Sequence, residues 1–290
     1  MKYNIQPLFS VRCHHGEGPV WDPQAQQFYW VDLMQGQFFI GDWNSGRVET
    51  HVVGQPLGVL ALREQGGVVM ALRDGFFTYD THYRTLKEVA PTEANEGATR
   101  FNDGAVDAQG RFWAATMTYD GSAPVGNLYC LNEAGEVQRH EKNLMLPNGM
   151  GWSMDRQTYF FADTECHVIY AYDFDLETGR LSNRRNFIEF GPDGFPDGLT
   201  VDTNNHLWVA MWQEGKISHF DERGQKVEDI ALPVSHPTSC CFGGPEFRHL
   251  LVTTSQRPLS PEQKLAEPLA GGCLVLETDT KGQPEPRYRG

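Results

Sequence analysis

The stretch "FPDGLTVDTNNHLWVAMW", Phe195 to Trp212, decides the fold. Leu199 and Val201 alternate with polar neighbours, and so do Leu207, Val209 and Met211, which reads as strand, a turn at "DTNNH", then strand. A Pro-Asp-Gly stands just before the first strand, with a carboxylate at its centre. The chain repeats this grammar. "GEGPVWDPQAQQFYWVDL" (16–33), "FNDGAVDAQGRFWAATM" (101–117) and "LPNGMGWSMDRQTYFFADT" (146–164) each join a small polar corner to an apolar strand, a turn and an aromatic-rich strand. "PLGVLALREQGGVVMALRDG" (56–75) and "HPTSCCFGGPEFRHLLVTTS" (236–255) follow the pattern more loosely.

The spacing is regular. The steps from Glu17 to Gly58, Asp103, Asn148, Asp197 and Cys240 are 41, 45, 45, 49 and 43 residues. Six units in 290 residues average about 48 each, the length of a four-stranded propeller blade. Each unit runs on into a second strand pair, as in "GNLYCLNEAGEV", "HVIYAYDFDLETGRL" and "KISHFDERGQKV", with Gly135, Gly179 and Gly224 at the outer turns. The expected architecture is all-β, a six-bladed β-propeller of four-stranded antiparallel blades forming one domain over 1–290. A β-sandwich or two stacked barrels would explain the strands but not the steady period. No stretch carries a sustained helical stripe with caps.

Bulk properties narrow the function classes. Hydrophobic residues make up 40% and charged residues 21%, ordinary globular usage. The net charge of −14 disfavours nucleic acid as a partner. No apolar run reaches membrane-spanning length, and the start "MKYNIQPLFSVR" has neither an apolar core nor a cleavage site of a signal peptide. A cytoplasmic protein with no membrane and no protein partner is expected. The six cysteines form no C-x-x-C and read as reduced, buried thiols.

In a propeller, equivalent corners of all blades converge on the axis at one mouth of the channel. Glu17, Asn102 with Asp103, Asn148 and Asp197 occupy such corners. Carboxylates converging with an amide oxygen repel one another unless a cation joins them. Oxygen donors without Cys or His suit calcium, magnesium or manganese, and zinc also accepts carboxylates. Taken singly, each Asn-Gly or Asp-Gly is an ordinary turn pair. The matched phase is what points to a site.

These corners also carry a family resemblance. "GEGPVW" (16–21), "RFNDGAVDAQGRFWAATM" (100–117), "LPNGMGWSMD" (146–155), "LETGRLSNRR" (176–185), "PDGLTVD" (196–202), "TSCCFGG" (238–244) and "PLAGG" (268–272) resemble the SMP-30/gluconolactonase/luciferin-regenerating-enzyme family over essentially the whole chain. The resemblance implies one divalent metal ion (calcium, zinc, manganese, magnesium or ferrous iron) held by Glu17, Asn148 and Asp197. It implies that Arg100 and Asn102 hold a sugar lactone, and it aligns a further substrate-contacting acid with Asp120, where this chain has the shorter acid. The following "GSAPVGN" reads as a short lid over the mouth.

The expected activity is metal-dependent hydrolysis of an aldono-lactone in carbohydrate catabolism, with Asp197 as ligand and general base. Asp103 either shapes its turn or orients the ligands. A related esterase or phosphotriesterase, a non-enzymatic calcium-binding regulator and a bare interaction scaffold are the alternatives. His14 and His15 are adjacent, so at most one can face the axis. Trp21, Phe28, Tyr29, Trp30, Trp113 and Trp208 are expected between blades, and Trp152 and Trp212 at a pocket wall. No Ser sits in a G-x-S-x-G elbow, which leaves serine-hydrolase chemistry unsupported.

Overall fold

Six four-stranded antiparallel sheets follow one another along the chain in the computed structural model, which describes residues 3–92 and 98–290. This is the six-bladed propeller. The innermost strands of blades 1 to 6 are Gly16–Asp22, Leu57–Leu62, Thr99–Val106, Pro147–Trp152, Pro196–Val201 and Pro237–Gly243. In blades 1 to 5 the remaining strands pair outward in chain order. The last blade takes its outermost strand from the other end of the chain: Gln6–Pro7 pairs with Leu274–Glu277. The ring is thereby closed by both ends of the chain. No helix among the described residues is long and apolar enough to cross a membrane.

The hydrophobic core is divided among the gaps between blades. Val31, Phe38, Leu60 and Met70 fill the gap between blades 1 and 2. Phe76, Phe101 and Phe112 fill the next, and Trp113, Trp152 and Tyr159 the one after. Successive strand residues point to opposite faces, so Phe112 packs toward blade 2 while Trp113 packs toward blade 4. Both faces of the inner strands are therefore buried, and Leu57–Leu62 reads as a continuous apolar run. Trp21, Phe28, Tyr29, Trp30, Trp113 and Trp208 all lie in these gaps. Trp152 does too, against Trp113 and Tyr159, and it also walls an inner cavity of the channel.

The polar corners are built differently from the expected turns. They lie inside the inner strands, at β-bulges. In blade 3 the register passes from Phe101↔Thr116 to Gly104↔Ala114, so Asn102 and Asp103 together oppose one residue. In blade 4, Asn148 and Gly149 oppose one residue, and in blade 5 Asp197 and Gly198 do the same. Blade 1 bulges at Gly18 and Pro19, directly after Glu17. A bulge frees residues from the ladder and re-aims their side chains. Blades 2 and 6 shift register by one residue at the same place, at Gly58 and Thr238, so the bulge recurs in every inner strand and four of the six carry a polar corner there.

The glycines after Asp103, Asn148 and Asp197 serve close packing. A Cβ on Gly149 would lie 2.3 Å from the Leu199 nitrogen and 2.8 Å from the Asp197 carbonyl oxygen of the next blade. Gly149→Ala must push these strands apart. Its expected cost is about 1–3 kcal/mol in urea unfolding, whereas Gly191→Ala, where nothing lies within 4 Å, should stay within about 0.5 kcal/mol. Equal effects would contradict this packing.

The C-terminal segment crosses the far end of the channel. Gly282 donates to the Phe247 carbonyl, Tyr288 to that of Leu62 and Arg289 to that of Gly110, tying blades 6, 2 and 3. One short helix, Pro261–Ala266, begins at a Ser260/Gln263 capping box that the sequence reading did not use. Five cysteines are buried free thiols as expected, but Cys166 is exposed.

Candidate active site

Glu17, Arg100, Asn102, Asp120, Asn148 and Asp197 all line one cavity of about 170 Å³. The six residues come from blades 1, 3, 4 and 5. His15, Tyr119, Thr164, Phe195, Trp212 and Arg257 complete much of the wall. Trp212 thus occupies the expected pocket wall. Asp120 is exposed at the rim, where its Oδ1 accepts from the Ser122 N–H at 3.1 Å. No residue of the 121–127 loop lines the cavity. The lining of that connection ends at Asp120.

Two buried aspartates hold the entries to the inner strands in register. Asp32 accepts from the N–H groups of His14 and His15, at 2.7 and 3.1 Å. Asp163 accepts from Met145 and Leu146, at 3.1 and 3.0 Å. The residues held stand three and two positions before Glu17 and before Asn148. One device therefore positions the site residues of blades 1 and 4.

A hydrogen-bond chain crosses from blade 3 to blade 5. Arg100 Nη1 donates to Asn102 Oδ1 at 2.7 Å, and Asn102 Nδ2 donates to Asn148 Oδ1 at 2.7 Å. Asn148 Nδ2 donates to Thr164 Oγ1 at 2.7 Å, and that hydroxyl donates to the Pro196 carbonyl at 2.6 Å. Every amide is oriented by its neighbour, and Asn148 is left with an oxygen lone pair for a cation. Thr164→Val removes the acceptor that fixes Asn148. Metal affinity should fall about 10–100-fold, read by calorimetric titration. An unchanged affinity would show that the chain does not orient Asn148.

The carboxylates are crowded. Burial, then the Asp103 charge, pushes the Glu17 carboxyl well above its ordinary value, against small opposing effects of the Gly18 N–H and Arg100. Asp197 is raised by burial, then by Glu17 and Asp103, with the Gly198 N–H opposing. Asp103 is raised to about 6 by burial. Asp103 turns to the other side of the bulge, into an inner cavity of about 100 Å³ shared with Trp152 and Glu285. Burial and then Asp103 raise Glu285 to about 8. Two buried acids, Glu17 and Asp197, share the site cavity with one buried Arg, and Asp103 stands behind them. The oxygen donor set and its excess negative charge fit a divalent cation.

His15 was undervalued in the sequence. Its Nδ1 lies 2.8 Å from Ser255 Oγ and its Nε2 3.7 Å from Glu17 Oε1. Burial, then Arg100 and Arg257, lowers it to about 3, so it stands neutral beside Glu17. Its ring meets Trp212 edge-on at 5.7 Å.

A second group, Asp202, His206 and His219, places potential metal-ligand atoms within 4.8 Å of one another. It follows the far end of the blade 5 inner strand. Both oxygens of Asp202 are already engaged, by the N–H groups of Asn204 and His206, Trp208 Nε1 and Thr280 Oγ1. Asp107 makes the same turn in blade 3, bonded to Gln109, Arg111 and Trp113. The repeat explains Asp202 as a turn former, while His206 Nδ1 and His219 Nε2 face each other at 2.9 Å.

Polar residues at or beside the bulges of four blades, converging on an open cavity, define a propeller with an oxygen-lined axial site. Residues 15–256 match the SMP-30/Gluconolactonase/LRE-like region, and the chain belongs to that family. It is 32% identical over 296 residues to regucalcin of Sus scrofa, covering 99% of this chain and 98% of the relative. It is 34% identical over 277 residues to a 6-deoxy-6-sulfogluconolactonase of Pseudomonas putida, covering 95% of each. Among solved structures, a calcium-binding regucalcin of Agrobacterium tumefaciens superposes with a TM-score of 0.95 at 28% identity, covering 99% of this chain and 98% of that one.

Proposed function

We propose that this protein is a metal-dependent sugar lactonase that opens an aldono-lactone to the aldonic acid. The observation that carries the reading is the single open cavity in which Glu17, Asn148 and Asp197 meet Arg100 and Asn102. The lactonase named among the relatives supports it. Glu17, Asn148 and Asp197 would hold one divalent cation. When bound, the ion supplies Lewis-acid polarisation of the lactone carbonyl and opposes the charge that builds on its oxygen.

The chain's own groups do the rest. Asp197 has no strong partner beyond the Gly198 N–H, so one carboxylate oxygen is free to take a proton from the attacking water. Asn102 is held rigidly between Arg100 and Asn148. Arg100 lines the cavity beside Asn102, where its guanidinium would meet a sugar hydroxyl. Phe195 and Trp212 offer an apolar wall to the C–H face of a sugar. The product carboxylate forms beside Glu17 and Asp197, whose charges favour its release.

The test is pH-stat hydrolysis by metal-loaded protein of aldono-1,4- and 1,5-lactones, with phenyl acetate and a phosphotriester for comparison. Lactone turnover well above the spontaneous rate is expected. Preference for the aryl ester or phosphotriester would replace this reading with the esterase one. Tight metal binding without any turnover would replace it with a calcium-binding role.

A further inference from the structure

Charge in the cavity varies with depth. Glu17 and Asp197 are buried, and the reacting carbonyl must sit beside them. Arg100 and Arg257 supply cations to the same cavity from blade 3 and from the segment that follows the blade 6 strand His249–Thr254. Arg100 is buried and tied to Asn102 and the Phe101 carbonyl. Arg257 is different. Its backbone N–H donates to Ser255 Oγ at 3.1 Å, but its guanidinium makes no hydrogen bond or ion pair with any described residue. It is exposed, yet it lines the cavity.

Arg257 acts electrostatically on Arg100 and on His15. The acids at the rim do not satisfy it: Asp120 accepts from the Ser122 N–H, and Glu165 forms no ion pair with Arg257 among the described residues. A free guanidinium in the mouth of a protein with a net charge of −14 is a local exception. A neutral polyol needs hydrogen-bonding groups, not a formal charge. A planar fork of N–H donors matches carboxylate, phosphate and sulfonate oxygens.

We propose that Arg257 selects a lactone bearing an anionic substituent at the end remote from its reacting carbonyl. This inference rests on the lactonase reading and names the substrate class within it: an aldonolactone carrying a carboxylate, phosphate or sulfonate. The buried acids hold the reacting end, and the exposed Arg257 holds the charged end. Orientation of the sugar in the cavity follows from this polarity.

The experiment compares metal-loaded wild type with Arg257→Gln and Arg257→Lys on D-glucono-1,5-lactone and 6-phospho-D-glucono-1,5-lactone. Wild type should prefer the charged lactone by about tenfold or more in kcat/KM, through KM, as expected for a charge-assisted contact. Arg257→Gln should erase that preference while leaving the neutral lactone within about twofold, and Arg257→Lys should restore part of it. Equal turnover of both lactones by wild type, or an equal loss on both in Arg257→Gln, would overturn the inference and leave the lactonase reading intact. Should neither lactone be hydrolysed, the lactonase reading fails, and calorimetry still tests Arg257. Glucarate, 6-phosphogluconate and 6-sulfogluconate should then each bind wild type more tightly than gluconate, and Arg257→Gln should lose the difference. Their ranking identifies the anion, and no difference in wild type would overturn the inference.

Discussion

Asp197→Asn is expected to lower lactone turnover by about 10²–10⁴-fold and to make the metal-free protein more stable. Two opposite effects from one isosteric change are the signature of a functional residue held at a cost to the fold. Asp197 is buried, and its carboxyl is raised by burial, then by Glu17 and Asp103. Removing its charge relieves that repulsion without opening a cavity. The same change removes the oxygen pair that holds the cation and takes the proton from water. Thermal unfolding of the chelated variant and steady-state kinetics of the metal-loaded one check both halves. A drop in stability with unchanged kinetics would make Asp197 a structural residue.

The second large effect concerns metal removal and pH. The chelated protein should lose stability as pH rises from about 4 to 8. Glu17, Asp103 and Asp197 all have folded-state values raised above those of the unfolded chain, Asp103 to about 6. Between the unfolded and folded values the folded state binds more protons. Stability therefore falls with rising pH, by about 1.4 kcal/mol per pH unit for each such proton. A saturating divalent cation should reverse the loss, stabilising the protein by about 3 kcal/mol at a hundredfold excess over Kd. Urea unfolding at pH 5 and pH 7.5, with chelator and with metal, measures this. Glu17→Gln should flatten the chelated slope. A chelated protein that gains stability over this range would contradict the crowded-carboxylate account.

Much of this was legible in the chain because a propeller repeats one decision six times. Alternation of Leu199, Val201, Leu207, Val209 and Met211 fixed strands, and recurrence near 48 residues set the blade count. The six expected site residues share one cavity because rotation brings equivalent phases together. Sequence periodicity gave no sign that the acids sit in bulges, since a bulge is one extra residue in a ladder whose partner is unknown beforehand. The same reasoning explains Gly149 and Gly198. Asn-Gly and Asp-Gly look like turn pairs, and only the neighbouring blade reveals the close approach.

The misses have similar causes. Trp152 follows the alternation of its strand into the gap between blades, where it walls the inner cavity and not the one that holds Glu17 and Asp197. His15 and Arg257 belong to chain segments flanking the ring closure, where the repeat is broken. Gln6–Pro7 is too short to show a period, and its pairing joins opposite ends of the chain. The turn formed by Asp202 could have been found by aligning "DTNNHLW" with "DAQGRFW", since Asp107 and Asp202 each bond a tryptophan six residues on.

The most direct test is a calorimetric titration of chelated protein with calcium, zinc, manganese, magnesium and ferrous iron, with lactone hydrolysis followed in the same samples. The account predicts one ion per chain at the axial site, turnover rising with its occupancy, and both lost together in Glu17→Gln. Full turnover in chelated protein, or an ion bound and active equally well in Glu17→Gln, would contradict it.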